Sequence, residues 1–128
     1  MYELTVTAHF SAAHRLDGYP GECARLHGHN WKVEVEVQAE ELNSLGMAID
    51  FRQLKEALGQ VLTQLDHRYL NEIPSLANRN PTSEILAAYI YHELEKSLEG
   101  VKLSRIRVWE SETTSAAYQR KDRGQKSE

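Results

Sequence analysis

The run Cys23-Ala24-Arg25-Leu26-His27-Gly28-His29 places a thiol beside two imidazoles. In an extended chain, side chains two apart face the same way, so His27 and His29 present both rings on one side and Gly28 adds no bulk between them. Imidazoles so placed ligate metals, and a catalytic zinc takes three protein ligands and leaves a position for water or substrate. His14 is the third ligand expected, because it ends an alternating run and an antiparallel neighbour would bring it opposite His27 and His29. Zinc suits three neutral imidazoles, and other divalent metals are compatible.

Three further groups could do chemistry. Cys23 lies in a loop beside a polar turn, where a nearby cation or Arg25 would favour its thiolate; the competing readings are a fourth metal ligand and an inert buried residue. Asp66-His67 pairs a carboxylate with an imidazole, which suits acid or base work as well as a solvated helix terminus. Glu110 shares the apolar face of a predicted strand with Ile106 and Val108. A carboxylate there needs donors, which an N–H pair on a heterocycle or an internal Arg or Lys would provide. His9 and His92 read as structural.

The elements that position these groups follow from periodicity. Tyr2, Leu4, Val6, Ala8, Phe10 and Ala12 alternate with polar residues, and Trp31, Val33, Val35 and Val37 do the same, giving two neighbouring antiparallel strands. Asp17 to Gly21, with two glycines and a proline, is a loop. Phe51, Leu54, Leu58, Val61, Leu62 and Leu65 change the period to that of a helix capped by Asp50, with Gln53 as a capping-box partner. A second helix is expected to open with Asn80 as cap and Pro81 at its first position, to carry the stripe Ile85, Leu86, Tyr89, Ile90, Leu94 and Leu98, and to end at Gly100. Lys102–Glu110 returns to period two, with Leu103, Arg105, Arg107 and Trp109 on the face opposite Glu110, and a short strand is expected over 116–119. The pattern is α+β, ββααββ: a four-stranded antiparallel sheet with two helices on one face. Its uncovered edges point to completion by neighbouring subunits, a homo-oligomer. A single domain is expected over 1–120, with a charged, disordered tail over 121–128.

Composition narrows the partners. The chain has 128 residues, of which 41% are hydrophobic and 27% charged, enough for one core. With a net charge of -4 and scattered Lys and Arg, it lacks the footprint of a nucleic-acid binder, so a small molecule is the expected partner. It contains no apolar run long enough for a bilayer, and Met1–Val6 lacks a secretory pattern, so no membrane partner and a cytoplasmic location are expected. A single cysteine agrees with a reducing compartment.

Phe10-Ser-Ala-Ala-His14, Cys23-x-x-x-His27-Gly-His29, Asp50-Phe51-x-x-Leu54-Lys55, Leu65-Asp-His-x-x-Leu-Asn71, Asn80-Pro-Thr-x-Glu84 and Trp109-Glu110 occur in an order that resembles the 6-pyruvoyl tetrahydropterin synthase family. Within it, the cysteine separated by three residues from His-Gly-His and the short chain resemble the branch that makes 6-carboxy-5,6,7,8-tetrahydropterin for queuosine and other 7-deazapurines. The resemblance implies a tunnelling fold whose subunits join sheets into an oligomeric β-barrel, trimeric or hexameric, with active sites between subunits. It also implies 7,8-dihydroneopterin triphosphate as substrate and zinc on His14, His27 and His29. Cys23 becomes the proton acceptor, Asp66 and His67 a relay, Glu110 the pterin anchor, and Thr82 and Ser83 polar contacts to the pterin edge. The implied products are 6-carboxytetrahydropterin, acetaldehyde and triphosphate. The alternatives are the pyruvoyl-forming branch, which keeps the carbon chain, a branch that makes hydroxymethyl dihydropterin, against which Cys23 counts, and a non-enzymatic zinc-binding assembly module closed by Cys23.

Overall fold

Alternation builds the two longest strands. In a computed structural model that describes residues 1–121, β1 (Tyr2–His14) and β2 (His27–Ala39) pair antiparallel, from Tyr2 opposite Ala39 to His14 opposite His27. Their inward faces bury Val6, Phe10 and Ala12 on β1 and Trp31, Val33, Val35 and Val37 on β2. At one end of both strands this apolar stripe gives way to imidazoles.

The helix α1 (Phe51–Leu62) starts where expected, because the Asp50 carboxylate accepts the Arg52 N–H at 2.8 Å. Leu54, Leu58, Val61 and Leu62 are buried. Phe51 is a correction: spacing puts it on the stripe, yet at the first helical position it lies at the margin of the packed surface and is 51% exposed. The expected cap and end of α2 (Ser83–Glu95) also shift. Thr82, not Asn80, is the cap, its hydroxyl accepting the Ile85 N–H at 3.2 Å, because the Asn80 amide is engaged with Asp17. The helix stops at Glu95, and Gly100 instead takes a left-handed φ of 80° in the turn towards the next strand.

β4 (Lys102–Trp109) pairs antiparallel with β2, and β5 (Ser115–Tyr118) with β4. A short strand, β3 (Arg68–Tyr69), runs parallel to β1 beside Ala12 and Ala13. The sheet is therefore five-stranded and mixed, in the order β3-β1-β2-β4-β5, rather than four-stranded and wholly antiparallel. Two residues are too few to show a period, which is why β3 does not stand out in the sequence. One hydrophobic core joins the helices to the inward face of the sheet.

Leu103 lies on the core face, against expectation. Glu36 pairs with Arg105 but Val37 pairs with Leu103, so Ser104 is the extra residue of a bulge that reverses the alternation. Its hydroxyl donates to the Glu36 carbonyl at 2.9 Å, which satisfies the bulged position. Beyond the bulge the register runs true and carries Ile106, Val108 and Glu110 along one face. Among the described residues the sheet ends on β3 and β5 and does not close on itself. Residues 122–128, most of the segment expected to be a disordered tail, lie outside the described residues. Among the described residues no helix is long and apolar enough to cross a membrane.

Candidate active site

Trp31 separates the apolar core from the polar end of the sheet. It is fully buried, stacks on Phe10 with centroids 5.9 Å apart, and donates its indole N–H to the Ala12 carbonyl at 3.2 Å. His14 and His29 meet its ring edge-on, at 5.0 and 5.1 Å between centroids. Two of the imidazoles thus rest on a fixed aromatic floor.

The cross-strand register brings the three histidines together. Ring centroids lie 4.6 Å apart for His14 and His27, 5.1 Å for His14 and His29, and 4.8 Å for His27 and His29. The Nδ1 of His14 lies 2.8 Å from the Pro81 carbonyl, and that of His27 lies 2.7 Å from the Arg25 carbonyl. A carbonyl can only accept, so both Nδ1 atoms carry the proton and both Nε2 atoms keep a lone pair, the tautomer a metal needs. Burial is the main influence holding the His14 and His29 imidazoles below the ordinary histidine pKa, so both rings are neutral and ready to ligate near neutral pH.

Glu110, one residue past β4, completes the group. One potential ligand atom from each of His14, His27, His29 and Glu110 lies within 4.8 Å of all the others. The Oε2 of Glu110 is 3.3 Å from His14 Nε2 and 3.5 Å from His29 Nε2. These approaches are close enough for electrostatic contact but not aligned as hydrogen bonds, and both Nε2 atoms are buried without a hydrogen-bond partner among the described residues. With Nδ1 protonated, a lone pair on His14 faces a carboxylate lone pair. Orphaned buried acceptors are costly, and a cation on the imidazole nitrogens removes that cost. The donor set therefore fits a metal such as zinc.

Asp66 and His67 lie across β1 from the histidines. Asp66 Oδ1 accepts the Ser11 N–H at 2.9 Å and lies 3.0 Å from His67 Nδ1. The Ser11 hydrogen bond is the largest cause holding the Asp66 carboxyl below its usual pKa, and His67 adds to it. The His67 N–H in turn donates to the Ser11 carbonyl, which fixes the residue at a left-handed φ of 59°. A non-glycine residue held at such an angle marks a position the surrounding structure overdetermines. His67 is exposed and lines the same open depression as His29, beside Gly28 and Arg68.

The other expected site residues are placed less centrally. Cys23 sits half-buried on a short turn of 3-10 helix, Glu22–Ala24, in the loop between β1 and β2, and is not part of the four-residue ligand group. Thr82 spends its hydroxyl lone pair on the α2 cap, and Ser83 opens that helix next to the Pro81 carbonyl that holds His14. Two residues to which sequence reasoning gave no site role are prominent: Asn71, quoted only within a motif, and Asn80, expected only as a helix cap, whose amides each grip the backbone just after His14. The signal available was their chemistry, since an Asn in a loop offers donor and acceptor together.

Comparison with known proteins identifies the family. Residues 3–121 match the family described as 6-pyruvoyl tetrahydropterin synthase. The chain is 41% identical over 115 residues to a Synechocystis 6-carboxy-5,6,7,8-tetrahydropterin synthase, covering 85% of this chain and 86% of that protein. It is 40% identical over 104 residues to a dihydroneopterin monophosphate aldolase of Pyrococcus furiosus, covering 80% and 84%. The fold matches the solved Caenorhabditis elegans 6-pyruvoyl tetrahydropterin synthase with a TM-score of 0.85 at 26% identity, covering 94% of this chain and 96% of that one. From its sequence match, its fold and the histidine group at the end of its sheet, the chain belongs to the 6-pyruvoyl tetrahydropterin synthase family.

Proposed function

We propose that the chain is a zinc-dependent 6-carboxy-5,6,7,8-tetrahydropterin synthase. It converts 7,8-dihydroneopterin triphosphate to 6-carboxytetrahydropterin, releasing acetaldehyde and triphosphate, in the synthesis of queuosine and other 7-deazapurines. The observation that carries the proposal is the set of three imidazoles at the end of the core stripe, with His14 and His29 Nε2 buried and, among the described residues, unpartnered beside the Glu110 carboxylate. The name of the Synechocystis relative supports the choice of product.

In this reading His14, His27 and His29 hold the zinc. When bound, the metal supplies Lewis acidity to the oxygens of the substrate side chain. Cys23, on the loop beside His27, takes the proton from the side-chain carbon. His67, oriented by Asp66 through its Nδ1, returns a proton and faces the depression it shares with His29. Glu110 anchors the pterin by accepting ring N–H groups, and its position against two imidazoles sets the distance between ring and metal centre. Thr82 and Ser83 contribute contacts to the pterin edge.

A single domain over 1–120 works as a homo-oligomer in the cytoplasm, with sheets joined into a barrel and sites between subunits. β3 pairs with β1 only at Ala12 and Ala13, which supports the outer edge of β1 as a pairing surface. The substrate is a small molecule, with no part for nucleic acid or membrane.

The test is to incubate zinc-loaded protein with 7,8-dihydroneopterin triphosphate and identify the products by mass spectrometry. Acetaldehyde with a 6-carboxy pterin is expected. A pyruvoyl product would assign the chain to that branch, a hydroxymethyl pterin to an aldolase activity, and unchanged substrate would leave a zinc-binding module.

A further inference from the structure

The chain leaving β1 is paired on one edge by side chains rather than by a strand. Arg15 donates its N–H to Asn71 Oδ1 at 2.9 Å and accepts from Asn71 Nδ2 at 3.0 Å. Two residues on, Asp17 donates to Asn80 Oδ1 at 2.8 Å and accepts from Asn80 Nδ2 at 3.0 Å. A side-chain amide carries a donor and an acceptor like a peptide unit, so each Asn stands in for one residue of a neighbouring strand.

The residue between them, Leu16, has a different partner. Its N–H is taken up by neither amide. It donates instead to the carbonyl of Cys23 at 2.9 Å. The turn bearing Cys23 is closed by Ala24 N–H to Gly21 at 3.2 Å and Arg25 N–H to Glu22 at 3.0 Å. Its far end is tied to the histidine group through the Arg25 carbonyl, which accepts from His27 Nδ1. The thiol-bearing turn is thus held at both ends, and one of the two tethers begins at Asn71 and Asn80.

We propose that Asn71 and Asn80 are positioning residues for Cys23, acting through residues 15–17. The proposal rests on the reading of Cys23 as the proton acceptor. It accounts for two amides from the segment between α1 and α2 each gripping a partly exposed loop by two hydrogen bonds. A general base must keep its place to a fraction of an ångström, and a displacement of about 1 Å can cost about a hundredfold in rate.

The test uses the full-length zinc-loaded protein and the variants Asn71→Ala, Asn80→Ala and the pair together. Hydrogen exchange reads the ladder directly: the Leu16 amide should lose about tenfold or more of its protection, the effect of about one hydrogen bond, while Val33, Val35 and Ile106 amides keep theirs. Cys23, the sole cysteine, should react faster with iodoacetamide. Turnover of 7,8-dihydroneopterin triphosphate should show kcat lowered by about ten- to a hundredfold, with KM and zinc per chain unchanged. Undiminished Leu16 protection would overturn the proposal, as would lost protection with an unaltered alkylation rate. If wild-type protein does not turn the substrate over, the functional reading fails, and exchange and alkylation still decide whether the amides place Cys23. Should the double variant not fold, Asn71→Asp, which keeps the acceptor and loses the donor, gives the same readouts.

Discussion

Replacing Glu110 by glutamine separates two roles that the geometry places side by side. Glu110 Oε2 lies within 3.5 Å of both His14 and His29 Nε2, close enough to be a fourth metal ligand, yet in our reading its task is to accept the pterin ring. Glutamine keeps the shape and removes the charge. It also presents an NH₂ where the second ring N–H needs an acceptor, so two charge-assisted hydrogen bonds are weakened or lost. At about 1.5–3 kcal/mol each, the pair is worth about 3–6 kcal/mol, from which we discount to about 3 kcal/mol for a side chain that is 33% exposed. That loss corresponds to about two orders of magnitude in kcat/KM. The three imidazoles are untouched, so zinc should remain at one per chain at saturating metal. The assay is steady-state kinetics over a range of 7,8-dihydroneopterin triphosphate, with zinc measured on the same samples and rates expressed per zinc-loaded chain. A variant that no longer retains zinc while its loaded fraction turns over normally would refute the reasoning and make Glu110 a ligand. So would a kcat/KM close to that of the wild type.

Cys23→Ala should abolish turnover and leave zinc content unchanged, since the thiol lies outside the ligand group; metal analysis after gel filtration checks this, and zinc loss would mark Cys23 as a ligand. Trp31→Ala should destabilise the metal-free protein in urea by about 3–5 kcal/mol, the cost of emptying a fully buried indole. Trp31→Phe should cost only about 1 kcal/mol, mainly the bond to the Ala12 carbonyl. Because the folded-state pKa of Asp66 is lowered from 3.8, its carboxylate adds stability that is present above that value and lost as pH falls through the lower folded one. Thermal unfolding should therefore show wild type more stable than Asp66→Asn at neutral pH, with the gap narrowing on acidification below 3.8; a gap that widens there would contradict the assignment.

Much of the site can be read in the sequence because it lies on regular strands. Period-two alternation puts His14 on the face of Phe10 and Ala12, and His27 and His29 on that of Trp31, so a single antiparallel register gathers all three. Glu110 is legible for the same reason, as a carboxylate continuing the line of Ile106 and Val108. What escapes is set by contacts without a period. The Ser104 bulge reverses Leu103, and nothing in Lys102–Trp109 announces it. β3 is only two residues long and exists because Ser11 grips Asp66 and His67. The cap of α2 moves to Thr82 because Asn80 is drawn to Asp17 across a long stretch of chain. The contact made by Asn71, though not the residue itself, escapes for the same reason, since its grip on Arg15 links segments that sequence patterns do not relate.

The central claim is that three imidazoles, and not the thiol, hold one metal at the end of the sheet. X-ray absorption at the zinc edge of the loaded wild-type protein tests it most directly, because nitrogen and sulfur shells differ in distance. We predict about three nitrogen neighbours at about 2.0–2.1 Å, with the remaining coordination from oxygen. A sulfur neighbour at about 2.3 Å would place Cys23 on the metal and contradict its role as a free proton acceptor.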